Sequence, residues 1–142
     1  MKRTALLILT TMALAGCAQP SAQKSLSAQD LENHRFVLQS VNGTPFVANE
    51  SGNAPELSFG EKMQISGAMC NRFFGQATLS GDQLKAENLA MTRMMCGEQQ
   101  LNELDNQLGQ MLQAGAQVSL NGQQLTLKSD QQTLTYTLAK PQ

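Results

Sequence analysis

The sequence predicts an α+β fold, a mostly antiparallel, curled or barrel-like β-sheet with one amphipathic helix packed on it. Three observations predict it. About six to nine short runs alternate apolar and polar residues and are joined by turns rich in Gly, Asn, Asp and Ser. One segment alone, residues 98–114, carries an apolar stripe at a 3.6-residue period. No repeat, internal membrane span or charge block interrupts the 142 residues. A single helix must bury its stripe against a sheet.

The first element is a targeting segment. Lys2 and Arg3 precede an apolar run from Ala5 to Leu14. That run is half the roughly twenty residues of a membrane span and fits a secretory signal. It ends Leu14-Ala15-Gly16-Cys17, which looks like a lipobox: small residues at the cleavage site, then a thiol that carries a thioether-linked lipid. The competing reading is an ordinary secretory signal with an incidental cysteine. The lipobox reading makes residues 1–16 a lipoprotein signal peptide, residues 17–32 a lipid-anchored flexible tether and residues 33–140 one folded domain. Its membrane partner is reached through lipid at Cys17, and two kinds of acyl attachment suffice for stable anchoring. Ala18, not Asp, follows Cys17, which in Gram-negative bacteria directs the protein to the outer membrane, facing the periplasm.

Along the domain, Ser27 is an expected N-cap with Asp30 at N3. Residues 35–41 read as a strand with Phe36 and Leu38 inward, ended by Asn42-Gly43. Residues 44–47 continue as a second strand. Residues 56–59 and 62–66 read as a hairpin about Gly60-Glu61, with Leu57, Phe59, Met63 and Ile65 inward. Residues 73–79 and 83–87 flank Ser80-Gly81-Asp82, and residues 89–92 fit neither period. In the helix, Leu101, Leu104, Leu108, Met111 and Leu112 form the stripe, Glu98 and Glu103 lie towards the positive end, and Gly115 terminates it. Gly109 inside the helix suggests a close helix–sheet approach. Residues 117–120 and 124–128 flank Asn121-Gly122, and residues 133–138 close the chain.

The formal net charge of −1 supplies no electrostatic case for nucleic acid or an anionic membrane surface. With Cys17 lipidated, Cys70 and Cys96 remain. In an oxidising compartment this pair reads as one disulfide, with two free thiols or a metal pair as alternatives. A loop of about 26 residues corresponds to roughly 3.5 kcal/mol by chain entropy. His34 is the only histidine, so a thiol–imidazole enzyme would need Cys70 or Cys96 beside it. No nucleophile elbow, phosphate loop or dinucleotide fingerprint occurs. Glu50, Glu56, Glu61 and Asp82 fall in or beside turns.

Met91-Thr92-Arg93-Met94-Met95-Cys96 offers soft ligands suited to Cu(I), against a plain packing role for methionine. Asn71 suits either a left-handed conformation or backbone satisfaction in a turn. Arg72 and Arg93 are polar groups beside the disulfide in a structural role, or a pair holding an anion.

The residues Gly67-Ala68-Met69-Cys70-Asn71-Arg72-Phe73-Phe74-Gly75, then Leu89-Ala90-Met91-Thr92-Arg93-Met94-Met95-Cys96, then Glu103, resemble the META domain family. The likeness runs from about Arg35 to Leu138. It implies a mostly antiparallel β fold with one packed helix and a motif at Cys70, Asn71, Gly75, Thr92, Met94 and Cys96. Many of these domains carry an aromatic residue where this chain has Gln76-Ala77. Asn33-His34-Arg35-Phe36-Val37-Leu38, Glu61-Lys62-Met63 and Leu101-Asn102-Glu103-Leu104-Asp105-Asn106 resemble an enterobacterial heat-shock lipoprotein of that family. This implies a part in the heat-shock response and in novobiocin tolerance, with no catalytic activity and no cofactor. The expected function is that of a monomeric, non-enzymatic envelope-stress lipoprotein that binds an envelope protein or a small ligand. The alternatives are a carrier for an apolar small molecule and a Cys70/Cys96 redox or copper-binding protein.

Overall fold

Short strands with one apolar face lower their exposed edge by curling until the first meets the last, and this chain does so. The structure, a computed structural model, describes residues 25–48 and 54–141 together with Gly16. Cys17, residues 1–15 of the proposed leader and most of the proposed tether lie outside the described residues. The strands are β1 (His34–Val41), β2 (Thr44–Pro45), β3 (Glu56–Phe59), β4 (Gln64–Ala68), β5 (Arg72–Ser80), β6 (Gln83–Met91), β7 (Ala116–Asn121), β8 (Gln124–Lys128) and β9 (Thr133–Leu138). The helices are α1 (Ala28–Leu31) and α2 (Gln99–Ala114).

Strands β3 to β9 form an antiparallel meander, and β1 pairs β3 on one side and β9 on the other. Phe36 therefore faces Leu57 across one ladder and Leu138 across the other, closing an eight-stranded barrel from which β2 hangs as a hairpin. Its interior is filled by side chains. Phe36, Leu57, Phe73, Leu125 and Tyr136 are buried, and Phe36 meets Phe59 edge-on at 6.1 Å between ring centroids. Full burial of each such side chain contributes about 1.5–3 kcal/mol.

The ring is weakest between β6 and β7, joined only at Gln83–Gln117 and Leu84–Ala116. Helix α2 packs against β6 there and buries Leu101, Leu104, Leu108, Met111 and Leu112, the stripe expected from its period. Gly115 takes φ 101° at its end and turns the chain into β7.

Some boundaries differ from expectation. Residues 62–63 are not strand: Glu61–Met63 form a 3-10 turn in which Lys62 and Met63 take φ 54° and 61°. That turn still delivers Met63 to the core. β6 is one strand, not a short strand followed by an irregular segment. A bulge at Asn88, φ 56°, shifts its phase, so Leu84 and Ala86 point inward before it and Leu89 and Met91 pack after it. The packed chain also starts inside the stretch read as tether: α1 puts Leu31 in the core, and Leu26 and Ala28 pack on it. The Ser27 N–H donates to Asp30 Oδ2 at 2.9 Å, as the capping pattern requires.

Candidate functional site

The β4–β5 turn, the end of β6 and the first turns of α2 meet at one place. Cys70 and Cys96 are joined there by a disulfide with Cα atoms 5.8 Å apart. Both thiols are bonded to each other, and His34 packs on Phe36 at 6.4 Å instead of near a free thiol. The thiol–imidazole pair is not assembled.

Asn71 is the hub. It is buried, and its φ is negative, so the left-handed alternative for it does not hold. Its Oδ1 accepts the Met94 N–H at 2.6 Å and the Thr92 hydroxyl at 2.9 Å, while its Nδ2 donates to the Met94 carbonyl at 3.0 Å. A carboxamide pairing with both backbone groups of one residue mimics a strand partner. It thereby holds the loop after β6 where no strand is available. Thr92 extends the link: its N–H donates to the Arg72 carbonyl at 3.0 Å and its Oγ1 accepts the Arg72 N–H at 3.1 Å.

Asp105, on the buried face of α2, completes the hub. Its carboxyl accepts the Cys70 N–H at 3.1 Å, the Asn71 N–H at 3.0 Å and the Asn71 side-chain amide at 2.8 Å. Sequence reasoning did not single it out as a site residue. The signal was present, because Asp105 stands at i+4 from Leu101 inside an otherwise apolar stripe, and a buried carboxyl needs donors. Asn102 does a similar task one turn earlier: its Oδ1 accepts the Cys96 N–H at 3.0 Å and its Nδ2 donates to the Cys96 carbonyl at 2.9 Å. The N-cap Glu98 makes no side-chain capping bond, so Asn102 organises the helix start.

This scaffold frames a groove of about 580 Å³ between α2 and β6. Asn71, Thr92, Arg93 and Met94 of the predicted site residues reach its lining, as do Met91 and Met95. Met94 and Met95 are exposed, at 62% and 89%, so they do not fill the core as the packing reading expected. Arg72 and Arg93 are exposed, and neither is in an ion pair among the described residues. Gly75 is not in the groove but behind it: a Cβ there would lie 2.8 Å from Leu89 Cδ2, so glycine lets β5 close on the β6 bulge. Gly109 borders the groove, and a Cβ there would meet nothing within 4 Å. It leaves space open instead of bringing helix and sheet together. The Gln76 side-chain amide donates to the Lys62 carbonyl at 2.6 Å. Among the described residues no three His, Cys, Asp or Glu side chains gather as metal ligands.

Comparison with known proteins agrees with this architecture. A family model, META domain, matches residues 29–141. Heat shock protein HslJ of Escherichia coli (strain K12) is 52% identical over 139 residues, 98% of this chain and 97% of that protein. A structure solved by NMR is 57% identical and superposes with a TM-score of 0.73, over 79% of this chain and 94% of its own. A second NMR structure, from Burkholderia xenovorans, is 21% identical and shares the fold at a TM-score of 0.63, over 92% of this chain and 100% of its own. With the family match covering almost all of the described fold, and the cysteine–asparagine motif standing where the helix, the turn and the loop are tied together, the chain belongs to the META domain family.

Proposed function

We propose that this META-domain relative of a heat shock protein is a lipid-anchored envelope-stress protein that works by binding, with the groove between α2 and β6 as its binding surface. One observation carries the reading. The motif residues Asn71, Thr92 and Met94 are joined in a hydrogen-bonded network that fixes the loop walling the groove, not in a nucleophile–base pair. Preorganised walls reduce the ordering cost of binding, and the groove falls in the roughly 300–1,000 Å³ range of binding clefts. The barrel interior is occupied by its own side chains, so an apolar small molecule would compete for this same groove.

Anchoring at Cys17, on the periplasmic face of the outer membrane, completes the proposal. The experiment is a photo-crosslinking residue placed at Met95 and, as a control, at the exposed Ser119 on β7. Heat-shocked envelopes are then irradiated. Discrete adducts from Met95 but not from Ser119 support the groove. Equal or absent adducts overturn it. Novobiocin survival of a deletion strain complemented with Cys17→Ser or with Gly109→Leu tests anchor and groove separately: each variant is expected to restore less tolerance than the unmodified chain.

A further inference from the structure

We infer that the groove receives an extended peptide, which adds to β6 as a further strand and presents a carboxylate to Arg93. This rests on the groove being the binding surface and names its occupant. β6 pairs with β5 on both sides of the Asn88 bulge but with β7 only at Gln83 and Leu84. Residues 85–91 therefore have no strand beside them on the β7 side among the described residues; α2 packs along β6 there, the Asn88 bulge interrupts the edge, and Ala86, Asn88, Leu89 and Met91 are the β6 residues that reach the groove. Such an edge is a template for another strand, and main-chain pairing of this kind supplies affinity in strand-addition complexes.

The opposite wall fits the other edge of the same guest. Asn102, Asn106, Gly109 and Gln113 follow one another at helical spacing along α2, and all four border the groove. Asn102 is committed to Cys96 and Glu98. Asn106 and Gln113 are exposed, with side-chain amides that both donate and accept. A strand lying between β6 and α2 thus finds a backbone ladder on one side and carboxamides on the other. Gly109 leaves room for it. A small molecule would satisfy one or two positions of the ladder, whereas a peptide repeats the chemistry along its length.

Charge sets the preference. The Asp105 carboxyl is occupied by the Cys70 and Asn71 donors. Arg93 is then the cation on the groove lining, exposed and outside any ion pair among the described residues, with exposed Arg72 on the cross-strand neighbour of Thr92. A guanidinium favours a carboxylate. Met94 and Met95 offer adaptable thioether contacts to whatever side chains the peptide carries. The guest is therefore an extended, partly apolar, acidic segment of another polypeptide.

The test uses the exported chain with Cys17→Ser, disulfide intact and uniformly labelled with nitrogen-15. The probe is an acetylated, amidated heptapeptide alternating valine and threonine, with a central glutamate. Two comparators carry glutamine in place of the glutamate, or N-methyl groups on alternate backbone nitrogens. Amide shifts are expected at residues 85–91 and 106–113. N-methylation on the pairing edge should weaken binding at least about tenfold, because ladder hydrogen bonds are lost. The glutamine peptide should bind about three- to tenfold more weakly, and Arg93→Gln should erase that difference. Gly109→Leu should block the probe while leaving the free spectrum dispersed. Equal affinity of the methylated peptide, shifts confined to other faces, or no binding of any probe overturns the proposal. So do shifts at 85–91 that depend on protein concentration alone, which indicate a second copy. A change at the same amides on deleting residues 18–24 indicates the chain's own tether and overturns it as well. Failure here with positive Met95 crosslinking leaves the groove standing and removes only the strand. Failure of both removes the groove too.

Discussion

Asn71 donates twice to Asp105, through its side-chain amide at 2.8 Å and its backbone N–H at 3.0 Å, joining the β4–β5 turn to α2 across 34 residues of sequence. The pair is buried, and the same Asn71 side chain holds the loop after β6 through Met94. Removing either member leaves buried groups of the other without partners. Asp105→Asn should therefore cost about 2–4 kcal/mol, since the new NH₂ faces existing donors. Asn106→Ala, next in sequence but exposed, should stay within about 0.5 kcal/mol. Urea unfolding measures both. In a double-mutant cycle, Asn71→Ala and Asp105→Ala should couple by at least about 1 kcal/mol; strict additivity would mean that the hub is not a unit.

The disulfide closes a loop with a sequence separation of 26, from Cys70 to Cys96. By loop-closure entropy, replacing both cysteines with serine should destabilise by roughly 3.5 kcal/mol. The α2 network survives the replacement, so the variant should remain folded at low temperature with a lower urea midpoint. A midpoint equal to that of the parent would show that the Asn71–Asp105 contacts alone hold the loop.

Tyr136 is fully buried, and its hydroxyl has no hydrogen-bond partner among the described residues. Burial pushes its pKa up from the ordinary value of 10.0, because the phenolate would lose its hydration. A raised folded pKa leaves this contribution to stability intact below the unfolded pKa, and erodes it as pH climbs from about 10 towards the folded value. Stability should accordingly fall above about pH 10. Since this is the only tyrosine, absorbance at the tyrosinate band should rise together with unfolding. Tyr136→Phe should remove the Tyr136 part of the alkaline loss and cost little at neutral pH, because the hydroxyl it deletes is unpartnered. Tyrosinate appearing well before unfolding would contradict the burial.

Three glycines should respond differently to alanine. At Gly67 a Cβ would lie 2.2 Å from the Glu56 carbonyl oxygen, a backbone atom that cannot step aside, so Gly67→Ala should cost more than about 2 kcal/mol. At Gly75 the obstacle is the Leu89 side chain, which can rotate, so the cost should be smaller, about 1 kcal/mol. Gly109 lies inside α2 with open space around it, so Gly109→Ala should stabilise by up to about 1 kcal/mol through helix propensity. Thermal or urea unfolding of the three variants tests the order.

Much of the fold was readable because its signals are local. The alternation of Phe36 and Leu38, the Asn42-Gly43 turn and the leucine stripe of α2 each depend on residues a few positions apart, and each stands where expected. The β7–β8 hairpin also forms, with its turn one residue later than expected: Asn121 pairs with Gln124, so Gly122 and Gln123 make the turn. The cysteine pair was readable from the count, on the expectation that Cys17 carries lipid and leaves Cys70 and Cys96 to each other. Errors arose where one local signal changed phase. The Asn88 bulge divides β6 into two out-of-register halves, and the left-handed Lys62 and Met63 delay β4. Periodicity presumes constant backbone geometry, and a bulge breaks that presumption.

The sequence by itself therefore determined most of the strands and turns and the main helix, and pointed to a Cys70–Cys96 disulfide with free thiols or a metal pair as alternatives. The tertiary structure decided that β1 meets β9, that α2 packs where β6 and β7 part, and that Asp105 turns inward to Asn71. These are contacts between residues far apart in the chain, chosen by how a closed sheet leaves one edge and several buried donors to be satisfied. No residue's own neighbourhood in sequence carries that demand, and it is what makes a groove beside β6.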